Sequence, residues 1–205
     1  MFVIGITGGT GSGKTTLVSK IAGHFKKEEL CIISQDDYYK KTDNLTEEER
    51  ISLNFDHPNA IDFDLLSKHL QQLKNKETIA QPTYSFLTHN RTAETKRTNP
   101  KKITIVEGIL IFNDKRILNL CDLTIFVDAD AKVRLNRRIK RDTKERGRSR
   151  EEVTARYNST LKPMHDLYIE PFKKIANIVI ANNTYNKSAV ASLLTSIQEK
   201  TKEDS

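Results

Sequence analysis

The sequence predicts an α/β fold in which helices cover both faces of a parallel sheet. Five short apolar runs have the composition of strands buried on both faces, since several are β-branched and nearly continuous. Segments with helical periodicity lie between these runs, and a glycine-rich turn joins the first run to the first helix. At 205 residues the chain has the length of one ordinary domain, so we expect residues 1–205 to form a single unit with a sizeable core.

The expected elements follow this alternation from the N-terminus. Apolar runs predict strands at residues 2–7, 30–35, 102–108, 123–129 and 177–182. Apolar side chains three and four residues apart predict helices at about 14–26, 62–75, 130–145 and 150–162, and an amphipathic helix over 188–199. Asp62 or Asp64 can cap the second helix. Residues 36–61 and 78–100 break the rhythm, and the second stretch, rich in Thr and with two prolines, indicates a hairpin or loop excursion.

Composition limits the partners and the compartment. The 34 Lys and Arg exceed the 27 Asp and Glu, but no nucleic-acid motif accompanies this charge, so we expect a lysine-rich solvated surface and no nucleic-acid partner. No apolar stretch has the length of a membrane span, and the chain runs directly into its first strand without a secretory signal, so no membrane association is expected. Cys31 and Cys121 lie in or beside apolar runs, which suits a reducing, cytoplasmic setting.

The glycine-rich turn carries the most specific motif of the chain. Residues 8–15 match G-x-x-x-x-G-K-S/T in full, between a strand and a helix, where backbone N–H groups converge on phosphate oxygens. Lys14 can place its charge on the β- and γ-phosphates, and the Thr15 hydroxyl can ligate Mg²⁺. We therefore predict that a nucleoside triphosphate is bound by Gly8, Gly9, Thr10, Gly11, Ser12, Gly13, Lys14, Thr15 and Thr16.

Carboxylates follow two of the predicted strands. Asp36 and Asp37 come after the second strand, and Glu107 closes the third. Ligands of doubly wound sheets bind at the carboxyl ends of strands, so these groups can face the phosphate site. Asp36 and Asp37 can equally well cap the turn that follows. Glu107 ends a buried strand, where an unpaired charge is costly, and this favours a cation partner such as Mg²⁺.

Arginines are concentrated after the fourth strand. Arg134, Arg138 and Arg141 share one face of the predicted helix, and Arg146 and Arg148 flank a glycine. Guanidinium groups at this density suit multidentate binding of phosphates. The pattern predicts a lid over about residues 138–150 that closes on the triphosphate and excludes water.

In these motifs the chain resembles the uridine/cytidine kinases, the nucleoside-phosphorylating branch of the P-loop kinases. The resemblance covers about residues 2–182 in order. Besides the phosphate loop, it rests on Ser34-Gln35-Asp36-Asp37-Tyr38-Tyr39, Asn54-Phe55-Asp56-His57-Pro58-Asn59-Ala60, Tyr84-Ser85-Phe86-Leu87-Thr88-His89-Asn90-Arg91, Val106-Glu107-Gly108-Ile109-Leu110, Arg138-Ile139-Lys140-Arg141-Asp142, Glu145-Arg146-Gly147-Arg148 and Lys162-Pro163-Met164.

The resemblance implies a fold, a reaction and a set of roles. The fold is a doubly wound sheet of five strands in the order 2-3-1-4-5. The reaction is transfer of the γ-phosphoryl group of ATP or GTP to the 5′-hydroxyl of uridine or cytidine, with Mg²⁺ held by Thr15, Asp36 and Glu107. Asp36 corresponds to the general base, and Arg141 and Arg146 to lid residues on the phosphates. A homotetramer is implied as well.

The nucleoside site is also implied by the resemblance. The corresponding positions are Tyr39, Asp56, Tyr84, Phe86, His89, Arg138 and Arg148. The excursion at about 78–100 is expected to be the nucleoside-binding segment and contains Tyr84, Phe86 and His89. Asp56 and Arg138 correspond to residues that hold the ribose 2′- and 3′-hydroxyls. Tyr84, Phe86, His89 and Arg148 correspond to base-recognition positions, with His89 expected at the group on C4.

Two departures and two rival functions stay open. Ser85 stands where many relatives carry an acid, and Arg156 stands where many carry Gln, so the base preference and feedback by CTP or UTP are not defined. The sequence also leaves the choice between ATP and GTP open. A related P-loop kinase could act on another acceptor, such as pantothenate or a phosphopentose. A non-catalytic nucleotide-switch protein is the other rival, because Thr201-Lys202-Glu203-Asp204 matches a guanine-reading pattern.

Overall fold

A computed structural model describes residues 1–184 and 187–203 of the chain. Its strands are β1 (Phe2–Thr7), β2 (Leu30–Ser34), β3 (Ile79–Ser85), β4 (Asn90–Thr98), β5 (Ile103–Glu107), β6 (Leu123–Asp128) and β7 (Ile178–Ala181). Its α-helices are α1 (Lys14–Ala22), α2 (Glu47–Ser52), α3 (Phe63–Lys74), α4 (Lys115–Leu120), α5 (Ala131–Glu145), α6 (Arg150–Arg156), α7 (Lys162–Tyr168) and α8 (Lys187–Glu203).

Five of the strands form one parallel sheet in the order β2-β5-β1-β6-β7. Numbered along the chain without β3 and β4, this is the order 2-3-1-4-5, so the predicted fold class and topology are confirmed. The register of β2 and β5 places Ser34 beside Glu107, and that of β1 and β5 places Ile6 beside Glu107. The carboxyl ends of these three central strands therefore meet at one edge.

The two faces of the sheet have separate cores because successive side chains of a strand point to opposite sides. On one face Val3, Val106 and Phe126 pack with the buried leucines of α3. On the other face Ile4 and Ile6 pack with α1 and α8. Both layers contain fully buried aliphatic side chains, as near-continuous apolar strands predict. Among the described residues, no helix is long and apolar enough to cross a membrane.

The excursion is an antiparallel hairpin of β3 and β4, hereafter the hairpin, with a register irregularity between Pro82 and Tyr84. Side-chain hydrogen bonds attach it to the segment after β2. Gln81 Nε2 donates to Asp37 Oδ2 at 2.8 Å, and Asn90 Nδ2 donates to Asp43 Oδ1 at 2.7 Å. Asp37 thus holds the hairpin in place.

Two predicted helices have different bounds in the structure, and one of the two predicted caps is confirmed. α1 ends at Ala22, earlier than predicted, with Gly23 as its C-cap and the Gly23 N–H on Ser19 O at 2.9 Å. Asp62 is the cap of α3 and accepts from Leu65 N at 3.0 Å. The helix expected over 150–162 is divided into α6, a π-helical turn at Tyr157–Leu161 and α7. Pro163 lies in the first turn of α7, where its missing N–H prevents a continuous α-helical ladder.

Candidate active site

A cleft of about 400 Å³ opens at the carboxyl ends of β1, β2 and β5. It brings together residues from the phosphate loop, the ends of β2 and β5, the hairpin and the region expected as a lid. The sequence-predicted site residues that line it are Thr10, Gly11, Gly13, Lys14, Thr15, Thr16, Asp36, Tyr39, Asp56, Tyr84, Phe86, His89, Glu107, Arg138, Arg141, Arg146 and Arg148. Gly8, Gly9 and Ser12 are buried within the loop itself.

The phosphate loop requires glycine at two positions in particular. Gly11 and Gly13 have φ of 76° and 99°, in the left-handed region that side chains rarely adopt. A Cβ on Gly11 would lie 2.5 Å from the carbonyl oxygen of Arg134, so the loop also packs too closely on α5 for any other residue. The Lys14 ammonium donates to Gly8 O at 2.8 Å and to Gly9 O at 3.4 Å, which holds it across the loop. Burial lowers the pKa of Lys14.

Side chains behind the loop fix its shape. Asn182, after β7, donates from Nδ2 to Ser12 O at 2.6 Å. Arg137 donates from Nη2 to Asn182 O at 2.8 Å and lies 3.3 Å from Ser12 O through Nη1. Arg137 and Asn182 had no predicted role. They are separated from their partners in the loop by 126 and 170 positions of sequence, and no local motif connects segments so far apart.

Two carboxylates lie beside the phosphate loop. Ser34 Oγ donates to Glu107 Oε1 at 2.9 Å and accepts from Asp36 N at 3.4 Å, which connects the ends of β2 and β5. Burial, and next the negative charge of Glu107, raise the pKa of Asp36 to about 6 against the opposing effect of Lys14. Asp36 lines the cleft, whereas Asp37 points to the hairpin.

This pair of carboxylates fits a Mg²⁺ site. The negative charge of Glu107 disfavours the ionised form of Asp36, and a divalent cation between the two groups would offset this repulsion. Thr15 adds a hydroxyl oxygen on the same cleft. Among the described residues, no group of three or more His, Cys, Asp or Glu could hold a metal. Mg²⁺ is commonly bound by one or two carboxylates together with substrate phosphates and water, so two carboxylates suffice.

The opposite end of the cleft is formed by aromatic rings, hereafter the aromatic wall: Tyr39, Phe55, Tyr84, Phe86 and His89. Phe55 stacks on His89 at 5.7 Å between ring centroids, with an interplanar angle of 25°. Tyr39 contacts Phe55 at 5.1 Å and Tyr84 at 5.0 Å. The sequence analysis quoted Phe55 within a motif without assigning it a site role, although its place directly before Asp56 was an available signal.

His89 lies in the hairpin turn with an unusual backbone. Its φ of 49° is in the left-handed region, which His, Asn and Asp adopt more readily than other non-glycine residues. Burial and the nearby guanidinium groups of Arg148 and Arg156 lower the pKa of His89. The imidazole is therefore neutral near pH 7, with one ring nitrogen as donor and the other as acceptor.

Asp56 and Arg138 both line the cleft, and their charges interact. Burial raises the pKa of Asp56, and the positive charges of Arg138 and Arg156 oppose the shift. Arg138 is itself buried and donates from Nη1 to Thr10 Oγ1 of the phosphate loop at 2.9 Å. Arg138 thus connects the two ends of the site.

The lid region consists of the end of α5, a turn at residues 146–149 and the start of α6. Its arginines gather around the fully buried carboxylate of Asp142, with Arg141 Nε on Oδ1 at 2.9 Å. Arg146 also lies over the ring of Phe86, with Cζ 5.8 Å from the centroid. Asp142 had no predicted role, although it is four residues from both Arg138 and Arg146, a spacing that predicts ion pairs on one face of a helix.

The cleft contains further residues that the sequence analysis did not assign to the site. Arg156, at the end of α6, reaches the aromatic end near His89 and Asp56. The others are Ile51, Phe55, Gly108, Ile109 and Arg137. Phe55, Gly108 and Ile109 lie within motifs of the predicted site, whereas Ile51 and Arg137 lie outside them and are placed at the cleft only by the tertiary fold.

A parallel sheet of this order, with a phosphate loop after β1 and carboxylates after β2 and β5, defines a P-loop kinase. The profile of the "Phosphoribulokinase / Uridine kinase family" matches residues 3–189. The chain belongs to this family.

Individual relatives agree with that assignment. The chain is 47% identical to a uridine kinase of Clostridium perfringens over 196 residues, covering 96% of this chain and 94% of the relative. It is also 47% identical to a uridine kinase of Clostridium tetani, with coverage of 96% and 94%. A phosphoribulokinase from Rhodobacter spheroides shares the fold at a TM-score of 0.66 and 18% identity, covering 88% of this chain and 69% of that one.

Proposed function

We propose that the chain is a uridine/cytidine kinase that transfers the γ-phosphoryl group of ATP or GTP to the 5′-hydroxyl of the nucleoside, giving UMP or CMP. The observation that carries the proposal is a single cleft with a phosphate loop and two carboxylates at one end and an aromatic wall at the other. The identity of 47% to uridine kinases across nearly the whole chain supports the same acceptor.

At the phosphate end, the loop N–H groups and Lys14 bind the triphosphate, and Thr16 flanks the loop. Binding moves the Lys14 ammonium from the Gly8 carbonyl to phosphate oxygens, which requires only a side-chain shift. Thr15, Asp36 and Glu107 would hold Mg²⁺, which when bound neutralises charge on the β- and γ-phosphates.

Asp36 serves as the general base. Its carboxylate accepts the proton of the 5′-hydroxyl as the oxygen attacks the γ-phosphorus, and the leaving group is the nucleoside diphosphate. A pKa raised to about 6 makes this carboxylate a better proton acceptor than an exposed aspartate while leaving it mostly ionised at pH 7. Catalysis otherwise depends on placing the two reactants in line.

The aromatic wall holds the base of the nucleoside. Tyr39, Phe55 and Tyr84 form its inner part, and the neutral His89 can donate to a carbonyl or accept from an amine at C4. Asp56 and Arg138 provide acceptors and donors for the ribose diol. Arg148 completes the base end, and Arg141 and Arg146 neutralise charge that develops during transfer.

The rival functions fit the site less well. Pantothenate and phosphopentoses lack an aromatic ring, so they would leave the wall without a partner of matching shape. For a nucleotide switch, the pattern beginning at Thr201 would have to present side chains from a loop to guanine. Thr201 is instead buried in α8 and donates to Ile197 O at 2.9 Å, and Asp204 lies outside the described residues.

The setting of the enzyme belongs to the same proposal. We expect residues 1–205 to act as one kinase domain in the cytoplasm, as a homotetramer, with no nucleic-acid partner. Light scattering coupled to gel filtration measures the assembly, and a mass of one chain would contradict it.

The decisive test is phosphorylation of a panel with Mg-ATP: uridine, cytidine, adenosine, thymidine, pantothenate and ribulose 5-phosphate, with products identified by mass. We expect monophosphates from uridine and cytidine alone. Transfer only to another acceptor would overturn the nucleoside assignment while leaving the P-loop chemistry in place. Nucleotide hydrolysis without transfer would favour the switch.

A further inference from the structure

Asp142 lies at the centre of four arginines. In the proposed function, two of them bind the nucleoside and two bind the phosphate groups. Its side chain is fully buried. Oδ1 accepts from Arg141 Nε at 2.9 Å and lies 3.6 Å from Arg146 Nη1. Oδ2 lies 3.2 Å from Arg138 Nε and 3.7 Å from Arg148 Nη1. We call Arg138, Arg141, Arg146 and Arg148 together the arginine cluster.

The backbone around Asp142 reinforces this arrangement. Its carbonyl oxygen accepts from the N–H groups of Arg146 and Arg148, both at 3.2 Å, so the turn after α5 wraps around the residue. Gly147 has φ of 64°, which permits the reversal between the two arginines. The carbonyl group of Asp142 therefore fixes the backbone of Arg146 and Arg148, while its carboxylate holds their side chains.

The electrostatics show why the position needs an anion. Four guanidinium groups lie within 4 Å of one carboxylate, so the five groups together carry a net charge of +3. Without the carboxylate, the repulsion among the guanidinium groups would be unopposed. The bonds are unequal. Oδ2 has no hydrogen bond among the described residues, and Arg146 and Arg148 are held at ion-pair distance only, so they can turn to a ligand.

The cluster also connects the two ends of the cleft. Arg138 bonds Thr10 of the phosphate loop and faces Asp56, while Arg148 acts on His89. Arg141 lines the cleft near the phosphate loop, and Arg146 contacts Phe86 of the hairpin. Any shift of one arginine toward a ligand changes the charge balance that the other three experience at Asp142.

We propose that Asp142 is a positioning residue that couples nucleoside binding to nucleotide binding by holding the arginine cluster in one arrangement. The inference rests on the proposed function. A nucleoside that engages Arg138 and Arg148 withdraws them in part from Asp142, which tightens Arg141 and Arg146 in the orientation that the triphosphate requires. The two substrates then bind more tightly together than alone.

The test is the binding synergy of the intact chain. The Kd of a non-hydrolysable ATP analogue with Mg²⁺ is measured by calorimetry without and with saturating uridine. We expect uridine to lower the Kd of the analogue about tenfold in the unmodified chain, which is within the usual range of coupling between sites. In Asp142→Asn we expect a decrease of at most about twofold, which is below that range. Asp166→Asn is the matched control, because Asp166 forms an exposed pair with Lys162 at 2.8 Å, away from the cleft.

A second variant separates positioning from a general loss of structure. Asp142→Ala leaves a space the size of a carboxylate among the arginines. We expect added formate to restore the synergy and the kcat of this variant, while chloride at equal ionic strength does not. If Asp142→Asn proves too unstable to handle, Asp142→Ala purified and refolded in the presence of formate takes its place, and the synergy is compared before and after formate is removed.

The outcomes separate this inference from the proposed function. Turnover of uridine by the unmodified chain together with equal synergy in Asp142→Asn overturns the role of Asp142 alone. Absence of synergy in the unmodified chain also overturns it. Failure of the unmodified chain to phosphorylate uridine or cytidine overturns the function, and with it this inference. Formate rescue specific to Asp142→Ala supports the positioning role.

Discussion

At the phosphate end of the cleft, the functional groups follow directly from strands of the parallel sheet, whereas at the nucleoside end three of the five residues of the aromatic wall lie on a hairpin that forms a sheet of its own. Asp36 comes two residues after the end of β2 and Glu107 is the last residue of β5, so strand register sets their positions. Tyr84 and His89 are placed by a hairpin held through side-chain hydrogen bonds such as that of Gln81 with Asp37.

The comparison shows how one fold can keep its chemistry while its acceptor site changes. The phosphate end cannot move without disturbing a packed sheet, and therefore we expect substitutions there to alter kcat. The outer part of the nucleoside end can be adjusted without affecting the core, since Phe86 is 55% exposed, whereas Tyr39 is itself a core residue. There we expect substitutions to alter the KM of the nucleoside and to leave that of the nucleotide unchanged.

Asp36→Asn should have the largest effect. Loss of the base is expected to reduce kcat about 10³-fold while nucleotide binding persists. Ionisation of Asp36 is unfavourable in the fold, so the cost to stability grows as pH rises from the ordinary pKa of 3.8 to about 6. The variant should therefore be more stable by about 3 kcal/mol at pH 8 without ligands, and by much less at pH 4. Thermal melts and turnover assays check both, and near-normal turnover would exclude Asp36 as the base.

Phe55→Ala tests the aromatic wall at the ring that contacts Tyr39, Tyr84 and His89. Removing the ring that stacks on His89 should raise the KM of uridine about 30-fold, by loss of burial and stacking, with little change in the KM of ATP. Leu87→Ala is the control, since this side chain lies in the hairpin turn near His89 and is 87% exposed. Equal increases in both KM values would remove Phe55 from the nucleoside end.

Two substitutions at His89 distinguish recognition of the base by the side chain from a requirement of the turn for a left-handed backbone. His89→Ala should raise the KM of the nucleoside about tenfold and that of ATP much less, because a hydrogen bond to the base is lost. Since φ at this position is 49°, His89→Asn should fold as well as the parent and bind the nucleoside better than His89→Ala. If the two variants lose stability and affinity to the same degree, His89 acts only through the turn.

The pH profile examines the phosphate end without mutation. Asp36 must be ionised to accept a proton, so kcat/KM for the nucleotide should fall below a pKa of about 6, by about tenfold between pH 7 and pH 5. Bound Mg²⁺ favours the carboxylate, so the corresponding fall in kcat should occur at lower pH. An acid limb that remained in the residual rate of Asp36→Asn would belong to another group.

Phe86→Leu should have the smallest effect of the series. The variant removes the ring beneath Arg146 while keeping an apolar side chain. Because an exposed cation–π contact contributes only about 0.5–1 kcal/mol, we expect changes of about threefold or less in both KM values. A selective change of more than tenfold in the KM of the nucleoside would mean that Phe86 contacts the base directly.

The sequence was informative where chemistry is local. The five sheet strands, the phosphate loop and the hairpin appear where apolar runs, glycine spacing and prolines predict them. Helix α2 was missed although Thr46 and Glu49 form a capping box, a signal readable in the sequence. Phe55, Asp142 and Arg156 had no assigned role because their function depends on which segments meet in the fold. Arg137 illustrates the limit, since its partners are the loop at Ser12 and the chain after β7.

The π-helical turn at Tyr157–Leu161 has a consequence for the spacing of the chain. A π-helical turn contains about one residue more than an α-helical turn, so it accommodates an extra residue without changing the orientation of α6 relative to α7. If the segment took up α-helical winding at unchanged length, α6 would rotate about its axis relative to α7 by about 100°, the angle that one residue adds to an α-helix. Arg156, the last residue of α6, would then leave the cleft although no residue in contact with a ligand had changed. The winding of this turn therefore determines which side chains α6 presents to the nucleoside end.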